Sequence, residues 1–218
     1  MNRKSSILFV LLLFSLFLSC DNNQPAKNSA NAEIKKGAEP IADAEIAVIE
    51  MENPAAFGTI KIELYSNIAP KMVARFKELA REGVYNGTTF HRINQSVIQA
   101  GDPFSKDDNP ANDGQGASDK PDVPAEFSDL PYDTGIVGAA RGQGNDTANS
   151  QFFITLRREK GFDNRYTIFG KVIEGMNNVR TIAAVPTGDG NLNDKGIPQK
   201  SERPSENIRI KSVTIQPR

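Results

Sequence analysis

The chain of 218 residues has one cysteine, one histidine and no tryptophan. A single cysteine excludes an intramolecular disulfide, a cysteine-based zinc site and a Cys-x-x-Cys redox centre. A single histidine excludes a histidine-rich metal site. A surplus of either charge is lacking too: 26 Lys and Arg face 27 Asp and Glu, a net of −1. Phosphate recognition needs a basic surplus, so a dedicated nucleic-acid binder is excluded. Asp107-Asp108-Asn109 and Asp113-Gly114 lack the alternating ligands, central Gly and terminal Glu of a calcium loop, and read as solvated loop. What remains, 38% hydrophobic and 24% charged residues, supports one domain of moderate size with a real core, with or without a tail.

The first residues read as an address. Asn2-Arg3-Lys4 is a short positive start, and Ile7 to Leu18 is an apolar run broken only by Ser15. A spanning helix takes about 20 apolar residues, so this run fits the central region of a secretory signal instead. It ends Leu16-Phe17-Leu18-Ser19-Cys20, on the chain's only cysteine. That arrangement resembles the lipobox of bacterial lipoproteins, with Phe17 where Leu is commoner. The resemblance implies removal of residues 1–19, a diacylglycerol thioether on Cys20 and acylation of the new amine. A thiolate is the nucleophile that chemistry needs. One acyl chain binds a membrane marginally and two or more bind it stably. The protein is therefore expected in the bacterial cell envelope, lipid-anchored outside the cytoplasmic membrane, on a periplasmic or surface leaflet. Asp21 to Ala44 is rich in Asn, Ala, Lys, Glu and Pro. With Cys20 it is expected to form a flexible tether, residues 20–44, spanning about 25–30 Å as a random coil.

From Glu45 to the end the pattern is that of one domain, residues 45–218. Thr59-Ile60-Lys61-Ile62-Glu63-Leu64 alternates strictly, as a half-buried antiparallel strand does. Pro70 opens a helix where proline is tolerated, Met72, Val73, Phe76, Leu79 and Ala80 follow helical spacing, and Gly83 stops it. A second helix is predicted from Gly175, with Met176, Val179, Ile182 and Ala183 on one face. Other strands are predicted at Glu45–Met51, Thr88–Ile93, Val97–Gly101, Ile136–Ala140, Gln151–Leu156 and Thr167–Val172. A last strand from Ile208 to Ile215 has a break near Ser212. Two helices among about eight short strands predict a mostly β fold, a closed eight-stranded antiparallel barrel capped by two α-helices. Ser105–Pro124 and Thr187–Pro204, crowded with Asp, Asn, Gly and Pro, are expected to be long loops.

Three segments carry the chemistry: Phe90-His91-Arg92, Gln99-Ala100-Gly101-Asp102-Pro103, and Ser150-Gln151-Phe152-Phe153-Ile154. With Tyr166-Thr167-Ile168-Phe169-Gly170-Lys171-Val172 they resemble the cyclophilin family of peptidyl-prolyl cis-trans isomerases, over roughly Glu45 to Gln216. The resemblance implies rotation of X-Pro bonds in proline-containing polypeptides. It implies catalytic roles for Arg92, Gln99 and Gln151. Arg92 would donate to the prolyl nitrogen, Gln99 would bond the substrate backbone, and Gln151 would support Arg92. Val97, Phe153, Phe162 and Tyr166 would line the proline pocket, and Ala140 and Arg141 would pair with the extended peptide. No bond is made or broken in such a rotation, so no metal and no cofactor is expected. His91 alternates with Arg92 along its strand and is expected to be structural.

The sequence departs from the family at two places. Ile93-Asn94-Gln95-Ser96-Val97 is one residue shorter than the usual turn and lacks its Phe, and Val97 is smaller than the customary Met. No Trp lies near Lys160-Gly161-Phe162-Asp163, where many members have one that contacts cyclosporin, so weak cyclosporin binding is implied. The alternative function is a non-catalytic proline-peptide-binding chaperone or surface module on the same barrel. In either case the expected partners are polypeptides and, through the N-terminal lipid, a membrane, and the protein is expected to be a monomer.

Overall fold

The computed structural model describes residues 32–188 and 201–218. The expected leader, Cys20 and the first part of the expected tether lie outside the described residues. So does the middle of the expected 187–204 loop.

Strands and helices form where local chemistry favours them. The β strands are β1 (Ile34–Lys35), β2 (Glu45–Met51), β3 (Thr59–Leu64), β4 (Arg92–Ile93), β5 (Val97–Ala100), β6 (Phe127–Ser128), β7 (Ile136–Ala139), β8 (Phe152–Thr155), β9 (Ile168–Glu174) and β10 (Ile210–Pro217). The helices are α1 (Pro54–Phe57), α2 (Pro70–Arg81) and α3 (Met176–Ala183). Helix α2 has Pro70 at its first turn and no capping side chain of its own. Glu126, distant in sequence, supplies the cap: its two carboxylate oxygens accept from Lys71 N and Met72 N at 3.1 and 2.9 Å. The buried face of α2 is Met72, Val73, Phe76, Leu79 and Ala80, as its spacing predicts. The break predicted near Ser212 is a register shift between Ile210 and Ser212 where β10 pairs with β2.

Eight strands form one antiparallel sheet in the order β10-β2-β3-β9-β7-β8-β5-β4. The expected closed barrel is instead an open, curled sheet. Edge strands β4 and β10 share no ladder. The segments that lead into them are linked by the single bridge Thr89↔Arg209 and by bonds such as Phe90 N to Ile208 O at 3.0 Å. The cause is the shortness of β4. Of the predicted Thr88–Ile93 strand only Arg92–Ile93 pairs with β5, and the Ile93 N–H is taken by Glu202 O at 2.6 Å. Two helices were expected and three are present among the described residues; α1 is a four-residue turn capped by Asn53.

The tether also ends earlier than expected. Ile34–Lys35 pairs in parallel with Phe127–Ser128. Asp43 accepts from Ser66 N and Ser66 Oγ at 3.1 and 2.7 Å and from Lys77 Nζ at 2.6 Å. The part of the expected tether from 32 to 44 is therefore docked on the domain. Composition concealed this, because the docking uses polar side chains and backbone rather than apolar burial.

Strand alternation sorts the side chains into two apolar clusters. Ile93, Ile98, Ala100, Val137, Ala139, Phe152, Ile154 and Phe169 point inward to the main core, where Phe76 of α2 meets the Phe152 and Phe169 rings at 5.4 and 5.2 Å. Their neighbours Val97, Ile136, Phe153 and Ile168 point the other way, into a second cluster with Tyr65, Ile68 and Tyr132.

Candidate active site

The second cluster floors a site on the outer face of the sheet. Register builds it. Arg92 lies opposite Gln99 across β4–β5, Gln99 opposite Phe153 across β5–β8, and Phe153 opposite Gly138 across β7–β8. Residues opposite one another on adjacent strands share a face. One row across four strands thus carries a cation, an amide, an aromatic ring and a gap.

The gap is required. A Cβ on Gly138 would stand 2.4 Å from Phe153 Cζ and 2.8 Å from Tyr132 Oη. The Phe153 ring lies across β7 because that position has no side chain. Gly101, at φ +88°, performs the matching service at the end of β5. A Cβ there would meet Ser150 O at 2.5 Å, so glycine lets β5 seat against the start of β8.

Arg92, Val97, Gln99, Ala140, Arg141, Phe153, Phe162 and Tyr166 line one recess of about 120 Å³. That is well below a drug-sized pocket and on the scale of one small ring. Its aromatic wall is dense: Phe153 meets Phe162 and Tyr166 edge-on at 5.5 Å each, and Phe162 and Tyr166 are 5.2 Å apart. Tyr132 stacks behind Phe153 at 5.8 Å. The structure thus brings all six expected substrate-binding residues together with Arg92 and Gln99. Gln151 lines an adjoining cavity of about 280 Å³, which shares Gln99, Ala140 and Arg141 with the recess.

Arg92 is half in water, its side chain 45% exposed, and its hydrogen bonds hold it at the rim. Nη1 donates to Gln99 Oε1 at 3.1 Å. Gln99 Nε2 donates to Gln151 Oε1 at 2.8 Å, and Gln151 Nε2 donates to the carbonyls of Gly114 and Gly116 at 3.0 and 2.8 Å. Gln151 therefore reaches Arg92 through Gln99 rather than directly. On the other side Arg92 Nε donates to Glu202. Burial works to raise the Glu202 carboxyl, but hydrogen bonds from Arg92 and Asn94 outweigh it and hold its pKa below the ordinary value.

The remaining residues frame the recess. Arg141 donates from Nε to Arg165 O at 3.1 Å and from Nη1 to Gly142 O at 3.0 Å, with its guanidinium 4.9 Å from the Tyr166 ring centre. It staples two rim segments together. The Ala140 N–H, one of the backbone groups expected to pair with a peptide, is taken by Gln151 O at 3.0 Å. The shortened turn is folded by Asn94, whose Oδ1 accepts from Ser96 N and Val97 N at 2.9 Å each. Val97 is buried in the recess wall, and the recess stays open beside it. His91 is buried beside Gly114, where an added Cβ would lie 3.5 Å from the imidazole, and burial pushes its pKa down.

Sequence reasoning missed Glu202, Asn94, Tyr132 and the Gly114 and Gly116 carbonyls. Glu202, Gly114 and Gly116 sit in stretches read as long loops. Tyr132 lies between strands in a segment without periodicity. Only Asn94 carried a signal, as an Asn in a short turn.

Comparison with known proteins places this geometry. Residues 47–215 match the family of cyclophilin type peptidyl-prolyl cis-trans isomerases (CLD). A probable peptidyl-prolyl cis-trans isomerase of Brucella suis is 44% identical over 130 residues, which cover 57% of this chain and 66% of that protein. Human peptidyl-prolyl cis-trans isomerase-like 1 is 35% identical over 156 residues, 71% of this chain and 85% of its own length. A crystal structure of a Cryptosporidium parvum cyclophilin-type isomerase, obtained in the presence of the dipeptide Ala-Pro, superposes with a TM-score of 0.66 at 28% identity. The match covers 79% of this chain and 99% of that one.

Proposed function

This chain belongs to the cyclophilin-type peptidyl-prolyl cis-trans isomerase family, and on that premise we propose that it turns X-Pro bonds in exported polypeptides while held at a bacterial membrane by lipid on Cys20. The observation that carries the catalytic part is the common rim shared by the Arg92 guanidinium and the ring-sized recess.

The barrier to be lowered is amide resonance, about 18–20 kcal/mol. A prolyl ring seated against Phe153, Phe162 and Tyr166 holds one half of the bond while the chain before it turns. As the amide twists, its nitrogen regains a lone pair. Arg92, permanently charged, donates to that lone pair and stabilises the twisted state more than either planar one. Gln99 and Gln151 align the guanidinium, and the backbone at Ala140–Arg141 holds the extended peptide with little side-chain selectivity. The step needs no nucleophile, metal or cofactor, because no bond is cleaved. The lipobox-like Leu16-Phe17-Leu18-Ser19-Cys20 supports the exported, lipid-anchored location, and the enzyme acts there as a monomer.

Two measurements test this. Exchange spectroscopy on an X-Pro peptide should show cis–trans crosspeaks accelerated by catalytic amounts of protein. A peptide that binds without acceleration would make the domain a binding module only. In cells, Cys20→Ala should move the protein out of the membrane fraction; retention there would refute the anchor.

A further inference from the structure

Arg92 is held from two sides, and the family motifs account for one of them. The other side is Glu202, in the segment Ser201–Pro204 that follows the undescribed part of the loop. Backbone pairing sets its place: Ile93 N donates to Glu202 O at 2.6 Å, and Thr187 bridges Pro204. The segment thus lies on the free edge of β4 and turns the Glu202 side chain toward Arg92. Both carboxylate oxygens are used. Oε2 accepts from Arg92 Nε, and Oε1 accepts from Asn94 Nδ2 at 3.0 Å. Asn94 is the residue whose Oδ1 folds the shortened turn.

The next residue completes a circuit. Arg203 Nε donates to Asp113 at 3.1 Å, and Asp113 precedes Gly114, whose carbonyl accepts from Gln151. Arg92, Gln99, Gln151, the Gly114 loop, Arg203 and Glu202 form a closed ring of contacts around the guanidinium. Among the described residues, Nε and Nη1 of Arg92 have partners and Nη2 has none. A guanidinium is planar, so fixing Nε and one Nη fixes the plane and leaves the last amino group free to donate.

We propose that Glu202 is a positioning residue for the isomerase reaction: with Gln99 it locks the plane of Arg92 before substrate arrives, so that Nη2 is presented to the prolyl nitrogen. The inference rests on the reading of Arg92 as the catalytic donor. An unlocked arginine would have to lose its rotamer freedom on the way to the transition state, and Glu202 removes that requirement in the free enzyme. Asn94 couples the lock to the turn, in the place where the sequence lacks the family's longer, Phe-bearing bend.

The test uses the full chain and five proteins: wild type, Glu202→Ala, Glu202→Gln, Arg92→Ala and the double variant Arg92→Ala/Glu202→Ala. Glu202→Ala should lower kcat about tenfold and leave KM within about twofold, because the lost interaction acts in the transition state. Glu202→Gln, which keeps an acceptor of the same shape, should recover part of the loss. In the Arg92→Ala background the same change should have no further effect. The Arg92 Nε–Hε resonance, shifted in the wild type by its carboxylate partner, should move to the free-arginine position in Glu202→Ala. Wild-type kcat in Glu202→Ala, a raised kcat, or an equal loss with Arg92 already removed would each overturn the proposal. If Glu202→Ala fails to fold, the kcat and the Arg92 resonance of Glu202→Gln decide it. Failure of the underlying reading looks different: Arg92→Ala would then turn over as fast as wild type.

Discussion

Arg92 and Gln99 face one another across the β4–β5 pair, with Arg92 Nη1 donating to Gln99 Oε1 at 3.1 Å. They are seven residues apart in sequence, and a shortened turn brings them into register. The charge at the rim of the recess is thereby aimed by the same hairpin that supplies the recess wall at Val97.

Removing that charge should abolish most catalysis and little else. Arg92→Ala should lower kcat/KM about 10²–10³-fold, the scale for losing one preorganised donor to a developing charge. Its side chain is half exposed, so the melting temperature should stay within about 2 °C. Arg92→Lys should remain impaired, since an ammonium cannot make both in-plane contacts. A proline-peptide assay with a thermal melt checks all three.

Filling the gap beside Phe153 should damage binding. In Gly138→Ala the new Cβ would lie 2.4 Å from Phe153 Cζ, so the ring must shift. Overpacking of this kind costs about 1–3 kcal/mol. Because the shifted ring belongs to the recess, KM should rise more than kcat falls. Steady-state kinetics and a denaturant titration read the two effects separately.

The docked N-terminal stretch should contribute stability through Asp43. Burial raises its carboxyl, but hydrogen bonds from Lys77 and Ser66 prevail and its folded pKa lies below 3.8. Its contribution is therefore present above the unfolded value and lost as pH falls through the lower, folded one. Its side chain is only 13% exposed. Asp43→Asn should cost about 1–3 kcal/mol at neutral pH, the worth of hydrogen bonds to a charged group. The gap from wild type should close toward strongly acidic pH in urea titrations.

His91 should make the protein acid-sensitive from a higher pH. Burial is the main cause of its lowered pKa, opposed by Asp102 and Asp113. Above 6.5 both folded and unfolded states hold it neutral, and it contributes no slope. Below 6.5 the unfolded chain binds a proton that the native state refuses, so stability falls as pH drops toward the folded value. An NMR titration of the imidazole should give a midpoint below 6.5, and His91→Gln should flatten the stability profile between the two values. A native midpoint at or above 6.5 would refute this.

Much of the molecule was legible in one dimension. The β3 alternation, the α2 stripe from Met72 to Ala80 and the opposed faces of Phe152 and Phe153 follow from residue spacing alone, because burial of one face is a local demand that each segment meets by itself. The motif residues around the recess were legible through the family resemblance. Their types at their positions specify a cation, an amide pair and aromatic walls.

Tertiary structure alone decided what lies between segments. The ends of the sheet meet through one bridge and a few backbone bonds rather than a ladder because β4 is two residues long and its free N–H is claimed by Glu202, and no pattern within Thr88–Ile93 announces a partner more than a hundred residues away. The docking of Ile34–Lys35 and Asp43 escaped notice because it depends on polar groups finding distant polar groups, which leaves no periodic trace. Glu202 beside Arg92 is the same kind of event. Sequence determined which groups the protein owns, and long-range strand register decided which of them meet, since hydrogen bonds are specific in space and indifferent to separation along the chain.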